Sequence, residues 1–395
     1  MKKDVMVTVI ITAYNHEKYI EQAIQGILDQ KTEYKYELVI HDDASTDGTQ
    51  DIIRAYEKRY PDIVKAEIHP ENLFRLGKLN TVIDYNEIAG KYVALCDGDD
   101  YWIDSKKLQK QVTFLEGNAD YSMCIHNSEK FNCVTKQKKF LNTFPCSGTY
   151  DQRSQILAGI GTDFPASASY VMRTQLLRQM PAFFLKPRAL DYSLRQYMAS
   201  CGKVYYFEDV MSVYRVMSDT SYMKKTKRDM TFYNDYTVEM LNFFENFNEY
   251  TKRKYEDILQ KKIDSDYFGF CSSIEESEGI AKAKKYNLDM DKINTCYSRL
   301  NISYLKSVKE VCTTSKDIYI YGTSRLALLC KRQMDYAGLK CSGFVVSDGQ
   351  EKADTIDNTN VYWLKDIKNN HRDKIFILAV QPINLISIEK FLEIN

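Results

Sequence analysis

Val7-Thr8-Val9-Ile10-Ile11-Thr12-Ala13-Tyr14-Asn15-His16 starts as a nearly continuous apolar and β-branched run and closes on a polar turn. So short and unbroken a run reads as a strand buried on both faces. After it, Tyr19, Ile20, Ala23, Ile24, Ile27 and Leu28 recur at helical spacing. The alternation continues outward. Tyr36 to His41 reads as a second buried strand and ends at Asp42-Asp43. Ser45-Thr46-Asp47-Gly48-Thr49 is a turn rich in helix-capping side chains, and it feeds a helix carrying Ile52, Ile53, Tyr56 and Tyr60. Lys65 to Ile68 reads as a short strand and Leu79 to Ile88 as a helix ended by Gly90. Tyr92 to Cys96 is another buried strand, running into Asp97-Gly98-Asp99-Asp100. Strands and helices in alternation predict a doubly wound α/β sheet. Ligands of such sheets bind beyond the carboxyl ends of the strands. Three of these strands end in polar clusters there: Thr12-Ala13-Tyr14-Asn15, Asp42-Asp43, and Asp97 to Asp100.

Further along, Asn127 to Pro165 has no clear period and reads as an irregular insertion or lid. Ala168 to Met172, Val204 to Phe207 and Met211 to Val216 read as strands, and Asp191 to Ala199 as a short helix. From Met223 to Leu305 the pattern is helical and charged. A second α/β signal then begins: strand Ile318 to Tyr321, turn Gly322-Thr323-Ser324, helix Leu326 to Tyr336 and strand Ser342 to Val346. Ile375 to Val380 follows as a strand and Ile386 to Leu392 as a helix. Three regions are expected: an α/β domain over 1–222, a helical linker over 223–310 and a small Rossmann-like domain over 311–395.

Composition narrows the functional classes. The chain has 395 residues, with Lys+Arg and Asp+Glu both at 54, so its formal net charge is zero. A neutral chain has no global attraction for nucleic acid or anionic lipid, and nucleic acid is not an expected partner. No run of 18 or more apolar residues appears, and no secretory signal is visible at the start, which predicts a cytoplasmic protein with at most peripheral membrane contact. The 10 cysteines lack paired spacing and read as reduced, mostly buried thiols, and the 5 histidines form no zinc cluster.

Asp97-Gly98-Asp99-Asp100 carries the strongest chemical signal. Carboxylates crowded within four residues repel one another and tolerate the arrangement when a hard cation sits among them. The bland alternative is a solvated acidic turn, but its place at the sheet's carboxyl edge beside two other polar clusters favours the metal.

Taken together, Val9 to Asn15, Leu38 to Asp43 with Ser45 to Thr49, and Asp97 to Asp100 closely resemble family 2 glycosyltransferases of the GT-A fold. The resemblance covers about Val5 to Ser221. It implies a Rossmann-like nucleotide-diphospho-sugar transferase domain that moves a sugar with inversion from a nucleotide-sugar donor, most often a UDP sugar, to a glycan or polyprenyl-linked acceptor. It implies that Thr12, Tyr14 and Asp43, within the stretch holding Ala13 and Asn15, grip the base, with Glu17 close by. Lys78 matches more loosely as a contact near the phosphates. Asp97 would face the ribose, and Asp99, with Asp97 and Asp100 beside it, would ligate Mn²⁺ or Mg²⁺ in the DXD manner. Asp191 stands where the family has its general base, although Leu190 replaces the usual Glu before it; the plainer role for Asp191 is a helix N-cap. Arg215, in Val213-Tyr214-Arg215-Val216-Met217, is a candidate phosphate partner, and Met217 stands where members often carry His. The resemblance further implies bacterial surface-polysaccharide assembly at the inner face of the membrane, and it leaves a homo-oligomer open. Acceptor contacts are expected from the 127–165 insertion and the Asp191 helix.

Three other readings compete. A sugar nucleotidyltransferase needs a glycine-rich basic loop after the first strand, where this chain has Thr12 to His16. A catalytically inactive nucleotide-sugar-binding protein would lack the carboxylates that are present. An oxidoreductase built on Gly322-Thr323-Ser324-Arg325 lacks two glycines of the dinucleotide fingerprint.

Overall fold

The structure is a computed structural model describing residues 5–76, 83–141, 146–150, 164–216, 230–274, 276–299, 317–323, 325–336, 338–349, 352–367 and 374–378. The chain divides into two compact units. One comprises Met1–Met223 with Asn246–Leu259, the other Lys224–Glu245 with Gln260–Asn395.

The first unit is built on a ten-stranded sheet. Its strands are β1 (Val7–Ala13), β2 (Tyr36–Asp42), β3 (Val64–Ile68), β4 (Tyr92–Asp97), β5 (Tyr101–Trp102), β6 (Tyr121–Asn132), β7 (Lys138–Phe140), β8 (Gly148–Tyr150), β9 (Val171–Arg173) and β10 (Lys203–Val216). They lie in the order β3-β2-β1-β4-β9-β6-β10-β5, with β7 on β6 and β8 on β10. β3, β2, β1 and β4 are parallel, as the apolar runs of β1 and β4 predict, while edge strand β3 alternates with exposed charges. Antiparallel β9 separates β4 from the parallel pair β6 and β10. Consequently β1, β2, β4, β6 and β10 all point their carboxyl ends to one edge. Helix α1 (Ile20–Leu28) buries Ile20, Ala23, Ile24 and Ile27, and α2 (Thr49–Arg59) buries Ile53. These join Val9, Ile11, Leu38, Ile40 and Ala94 in one core, each large aliphatic contributing about 1.5–3 kcal/mol. α3 (Lys107–Gly117) and α4 (Leu190–Cys201) complete the layers.

Several expectations are corrected. Residues 83–90 are turns and bends, not the end of a helix over Leu79 to Ile88, and 77–82 lie outside the described residues. The stretch after Asn127 is not irregular throughout: β6 runs on to Asn132 and turns into β7. Its period-two signal is weak because residues 134–140 are all exposed and polar residues serve both faces. The two strands expected between Val204 and Val216 are one, β10, whose register shifts between Phe207 and Val210 and again before Ser212. Such bulges interrupt alternation without ending pairing. The strand expected at Ala168 starts at Val171, after a 3₁₀ turn over Ser167–Ser169. The nine described cysteines form no disulfide, and only Cys96, Cys124, Cys271 and Cys330 of them are fully buried.

In the second unit, α5 (Met230–Tyr250, shared with the first unit), α6 (Glu256–Ser273, likewise), α7 (Glu276–Lys285) and α8 (Met290–Arg299) supply the helical segment. A five-stranded sheet follows, of β11 (Asp317–Tyr321), β12 (Gly343–Val346), β13 (Thr355–Ile356), β14 (Thr359–Trp363) and β15 (Lys374–Leu378), in the order β13-β14-β12-β11-β15. All but β13 are parallel, and α9 (Arg325–Tyr336) follows β11. This is the expected small Rossmann-like module. β14 escaped the sequence reading because Thr359-Asn360 makes its start polar. Gly322 takes φ +111°, which suits glycine at the β11–α9 turn. The helix expected at Ile386 to Leu392 lies outside the described residues.

Candidate active site

The parallel register sets Thr12 opposite Asp97 and Ala13 opposite Asp42, so the three polar clusters share one edge. Hydrogen bonds then lock them. Thr12 Oγ1 donates to Asp97 Oδ1 at 3.0 Å, the Gly98 N–H to the Thr12 carbonyl at 2.9 Å, and the Asp43 N–H to the Ala13 carbonyl at 2.8 Å. Asn15 adopts φ +55°, a conformation Asn tolerates. Its N–H donates to Ser45 Oγ, and its Oδ1 accepts from the Thr46 N–H, both at 2.8 Å. Glu17 accepts from the Gly48 N–H at 2.8 Å while its own N–H donates to Asp47 at 3.2 Å. Glu17 thus clasps the start of α2. Asp43, nearly buried, accepts from the N–H groups of Leu73 and Phe74 at 2.6 and 3.1 Å and so orders the segment after β3. Tyr14 is half-exposed at the same edge. Lys78 and Met217 lie outside the described residues.

The acidic turn is held from several sides. Asp97 spends Oδ1 on Thr12 and Oδ2 on Ser167 Oγ at 2.6 Å. Burial, reinforced by the charges of Asp99 and Asp191, pushes its carboxyl up to about 6 against the two hydrogen bonds. Asp100 is 1% exposed. Its Oδ1 accepts from the Arg215 N–H at 2.8 Å, and its Oδ2 is buried with no protein partner. Burial and the neighbouring Asp99 and Asp97 raise its pKa well above the carboxylate range. Arg215 is not a surface ion pair. Its guanidinium donates to the Asp99 carbonyl at 2.6 Å and to Gln22, and lies 4.4 and 5.1 Å from the ring centres of Tyr101 and Tyr19. A planar fork suits this stacked, two-pronged role in a way lysine does not.

Asp191 sits in the first turn of α4, behind an N-cap at Ala189, so it is not the cap itself. Burial raises its pKa, opposed by backbone N–H groups and by Arg195. Its negative charge adds to the rise at Asp97, so the first turn of α4 lies within electrostatic range of the acidic turn. Tyr214 joins them: burial raises its phenol, and Asp100, Asp191, Asp97 and Asp99 all add to the rise. Tyr214, Ser167 and Gln22 belong to this constellation and were not singled out as site residues from the sequence. The register of β10, the turn before β9 and the bond from Arg215 to α1 reveal them. His16 is 9% exposed, its Nδ1 has no partner, and burial lowers its pKa against Asp99, Asp47 and Asp42.

The donor set of the turn is all hard carboxylate oxygen, and the unpartnered Asp100 Oδ2 lies within it, so the residues fit Mg²⁺ or Mn²⁺. Among the described residues no three His, Cys, Asp or Glu side chains are arranged to hold an ion by themselves. These cations commonly take one or two protein carboxylates and complete their shell with substrate phosphate and water.

Gly98 is needed for this packing. A Cβ there would stand 2.7 Å from His16 Nδ1 and 3.1 Å from the Thr12 carbonyl. Gly98→Ala is expected to lower the melting temperature by on the order of 5 °C through overpacking. An unchanged midpoint in a thermal scan would show that the turn is free to shift.

The model for the family described as "Glycosyl transferase family 2" matches residues 8–179, which hold all three strand-end clusters. This segment is a family 2 glycosyl transferase domain. An uncharacterized protein of Mycobacterium tuberculosis is 39% identical over 119 residues, which are 30% of this chain and 34% of that one. Bacillus subtilis TuaG, named as a teichuronic acid biosynthesis glycosyltransferase, is 38% identical over 153 residues, 37% of this chain and 56% of its own. The chain thus spans about a third to a little over half of the length of these curated relatives. Among solved structures, S. aureus TarS 1–349 in complex with UDP-GlcNAc aligns at a TM-score of 0.47 and 15% identity, over 77% of this chain and 92% of that chain. The family 2 domain model ends before α4 and β10, so Asp191, Tyr214 and Arg215 come from beyond it.

Proposed function

We propose that the protein is a metal-dependent inverting glycosyltransferase that takes a sugar from a UDP-hexose or UDP-N-acetylhexosamine to a glycan or lipid-linked acceptor, in bacterial surface-polysaccharide synthesis. The observation that carries this reading is the register that brings the polar ends of β1 and β2 beside Asp97, Asp99 and Asp100 at the end of β4, with Asp191 of α4 within electrostatic range of Asp97. The family 2 match and a relative named for teichuronic acid biosynthesis support the transferase class and the polysaccharide setting. In this reading Thr12, Ala13, Tyr14 and Asn15 form the wall of the base pocket. Asp43 shapes the pocket by ordering Leu73 and Phe74. Asp97 faces the ribose. Asp99, with Asp97 and Asp100 beside it, would hold Mn²⁺ or Mg²⁺, which supplies positive charge against the charge growing on the leaving diphosphate. Arg215 keeps that turn in place through the Asp99 carbonyl.

Asp191 takes the proton of the acceptor hydroxyl as that oxygen bonds to the anomeric carbon. The bond from this carbon to the diphosphate breaks in the same displacement, and its electron pair leaves with the diphosphate. Attack opposite the leaving group inverts the centre. A raised pKa makes the Asp191 carboxylate a stronger base than an exposed one. An inactive binding protein has no need of the carboxylates retained at the end of β4 and the start of α4, and the phosphate loop of a nucleotidyltransferase is missing from the β1 turn.

The test is a thermal-shift screen of the full chain against UDP, GDP, CMP and dTDP sugars, with and without Mn²⁺. A ligand bound at a hundred times its Kd adds about 2.7 kcal/mol to the folded state. A Mn²⁺-dependent rise with UDP sugars is expected. No rise with any nucleotide, from protein that melts cooperatively, would sink the donor-site reading.

A further inference from the structure

The ribbon formed by β6 and β7 lies in the stretch from which acceptor contacts are expected, but it takes no part in the carboxylate site described above. Residues 134–140 are all exposed, Phe140 at 69% and Val134 at 48%. Lys130, Lys136, Lys138 and Lys139 stand on it, against the single acid Glu129, which is paired to Lys138 at 2.8 Å. In a chain with no net charge this is a strong local excess. The ladder also sets Lys130 directly opposite Lys139. Like charges across an antiparallel pair destabilise it, and in water an exposed Phe140 offsets none of that cost. Both features become favourable against a surface that offers negative charge and an apolar boundary together. The ribbon's position agrees. β6 pairs with β10 so that Lys130 lies across from Tyr214 and Phe131 across from Arg215, and the Cys133 N–H donates to the Val216 carbonyl at 2.9 Å. The ribbon therefore leaves the sheet at the same carboxyl edge as the acidic turn.

We propose that the β6–β7 ribbon docks the protein on an anionic lipid surface, beside the edge where the carboxylates converge. Lipid phosphates meet the lysines, whose long stems reach the headgroups from either face of the ribbon, and Phe140 and Val134 enter the headgroup–acyl boundary. A soluble polyanion would satisfy the lysines alone and leave the two apolar side chains in water, so the lipid surface is the better fit. Among the described residues no helix is long and apolar enough to cross a membrane. The proposal goes beyond the transferase reading and does not depend on it.

The experiment is flotation of the full chain with phosphatidylcholine vesicles, with and without phosphatidylglycerol. Binding is expected only with phosphatidylglycerol and is expected to weaken as salt is raised. At about 1 kcal/mol per lysine, the combined Lys130→Gln, Lys136→Gln, Lys139→Gln variant should bind on the order of a hundredfold more weakly. Phe140→Ser should lose roughly tenfold through its apolar area. All are surface changes, and a melting temperature that does not fall verifies the fold. Wild-type protein that ignores phosphatidylglycerol vesicles, or a triple variant that binds them as tightly, overturns the proposal. Loss of dextran sulfate binding in the triple variant, with vesicles ignored by both proteins, assigns the lysines to an anionic polymer and overturns it too. UDP–Mn²⁺ affinity, measured separately by calorimetry, should be unchanged in the variants; a fall there would place the lysines in the donor site and overturn the docking role.

Discussion

Asp99→Ala is expected to abolish the Mn²⁺-dependent part of donor affinity and to cut transfer by at least about a hundredfold, without unfolding the protein. The electrostatics separate the two effects. The charge of Asp99 helps to raise the pKa values of Asp97 and Asp100, so without metal the three carboxylates strain one another. Removing the middle one relieves repulsion, and the metal-free melting temperature should stay level or rise. Calorimetry with UDP in the presence and absence of Mn²⁺ reads the first effect and a thermal scan the second. If the variant keeps wild-type affinity with Mn²⁺, Asp99 is not the metal ligand. If it simply melts early, the turn is structural.

Asp191→Asn is expected to leave donor binding intact and to lower turnover by about 10²–10⁴, the range for a lost general base. The substitution keeps the side chain's shape in the first turn of α4. It removes a negative charge that favours a helix N-terminus by about 0.3–1 kcal/mol, and it also removes the cost of burying that charge, which the raised pKa reports. Little net change in stability should follow. Single-turnover kinetics with saturating donor isolates the chemical step. Transfer near the wild-type rate would show that Asp191 is not the base.

The parts of the fold that the sequence disclosed are those whose burial is uniform. β1 and β4 are buried along nearly their whole length, so apolar residues dominate both. α3 shows the opposite case. Its inward face includes Lys107 and Gln111, both fully buried. The Lys107 ammonium donates to Gln111 at 2.7 Å and lies 4.0 Å from the Trp102 ring, while the Gln111 amide donates to the Ser169 carbonyl at 2.9 Å. A stripe that is half polar does not look like a helix face until its distant partners are known. β6 was hidden for the same reason. Ser122 donates to the Met198 carbonyl, and Ser128 shares a hydrogen bond with Ser212. Buried polar groups satisfied across the sheet look like loop residues in one dimension.

The candidate site divides along the same line. By itself the sequence determined which chemistry stands at each strand end: the polar turn after β1, the acidic pair after β2, the carboxylates after β4 and the acid that opens α4. Periodicity and turn chemistry are local, and neighbouring residues suffice to write them. Only the tertiary structure decided that Asp191 shares an environment with Asp97, that Ser167 and Thr12 divide the Asp97 carboxylate between them, and that Arg215 serves the backbone of the acidic turn. It also set the lysines of β6 and β7 face to face beside that edge. These outcomes depend on register and on the exclusion of water, because the strength of one charge on another follows from their separation and the medium between them.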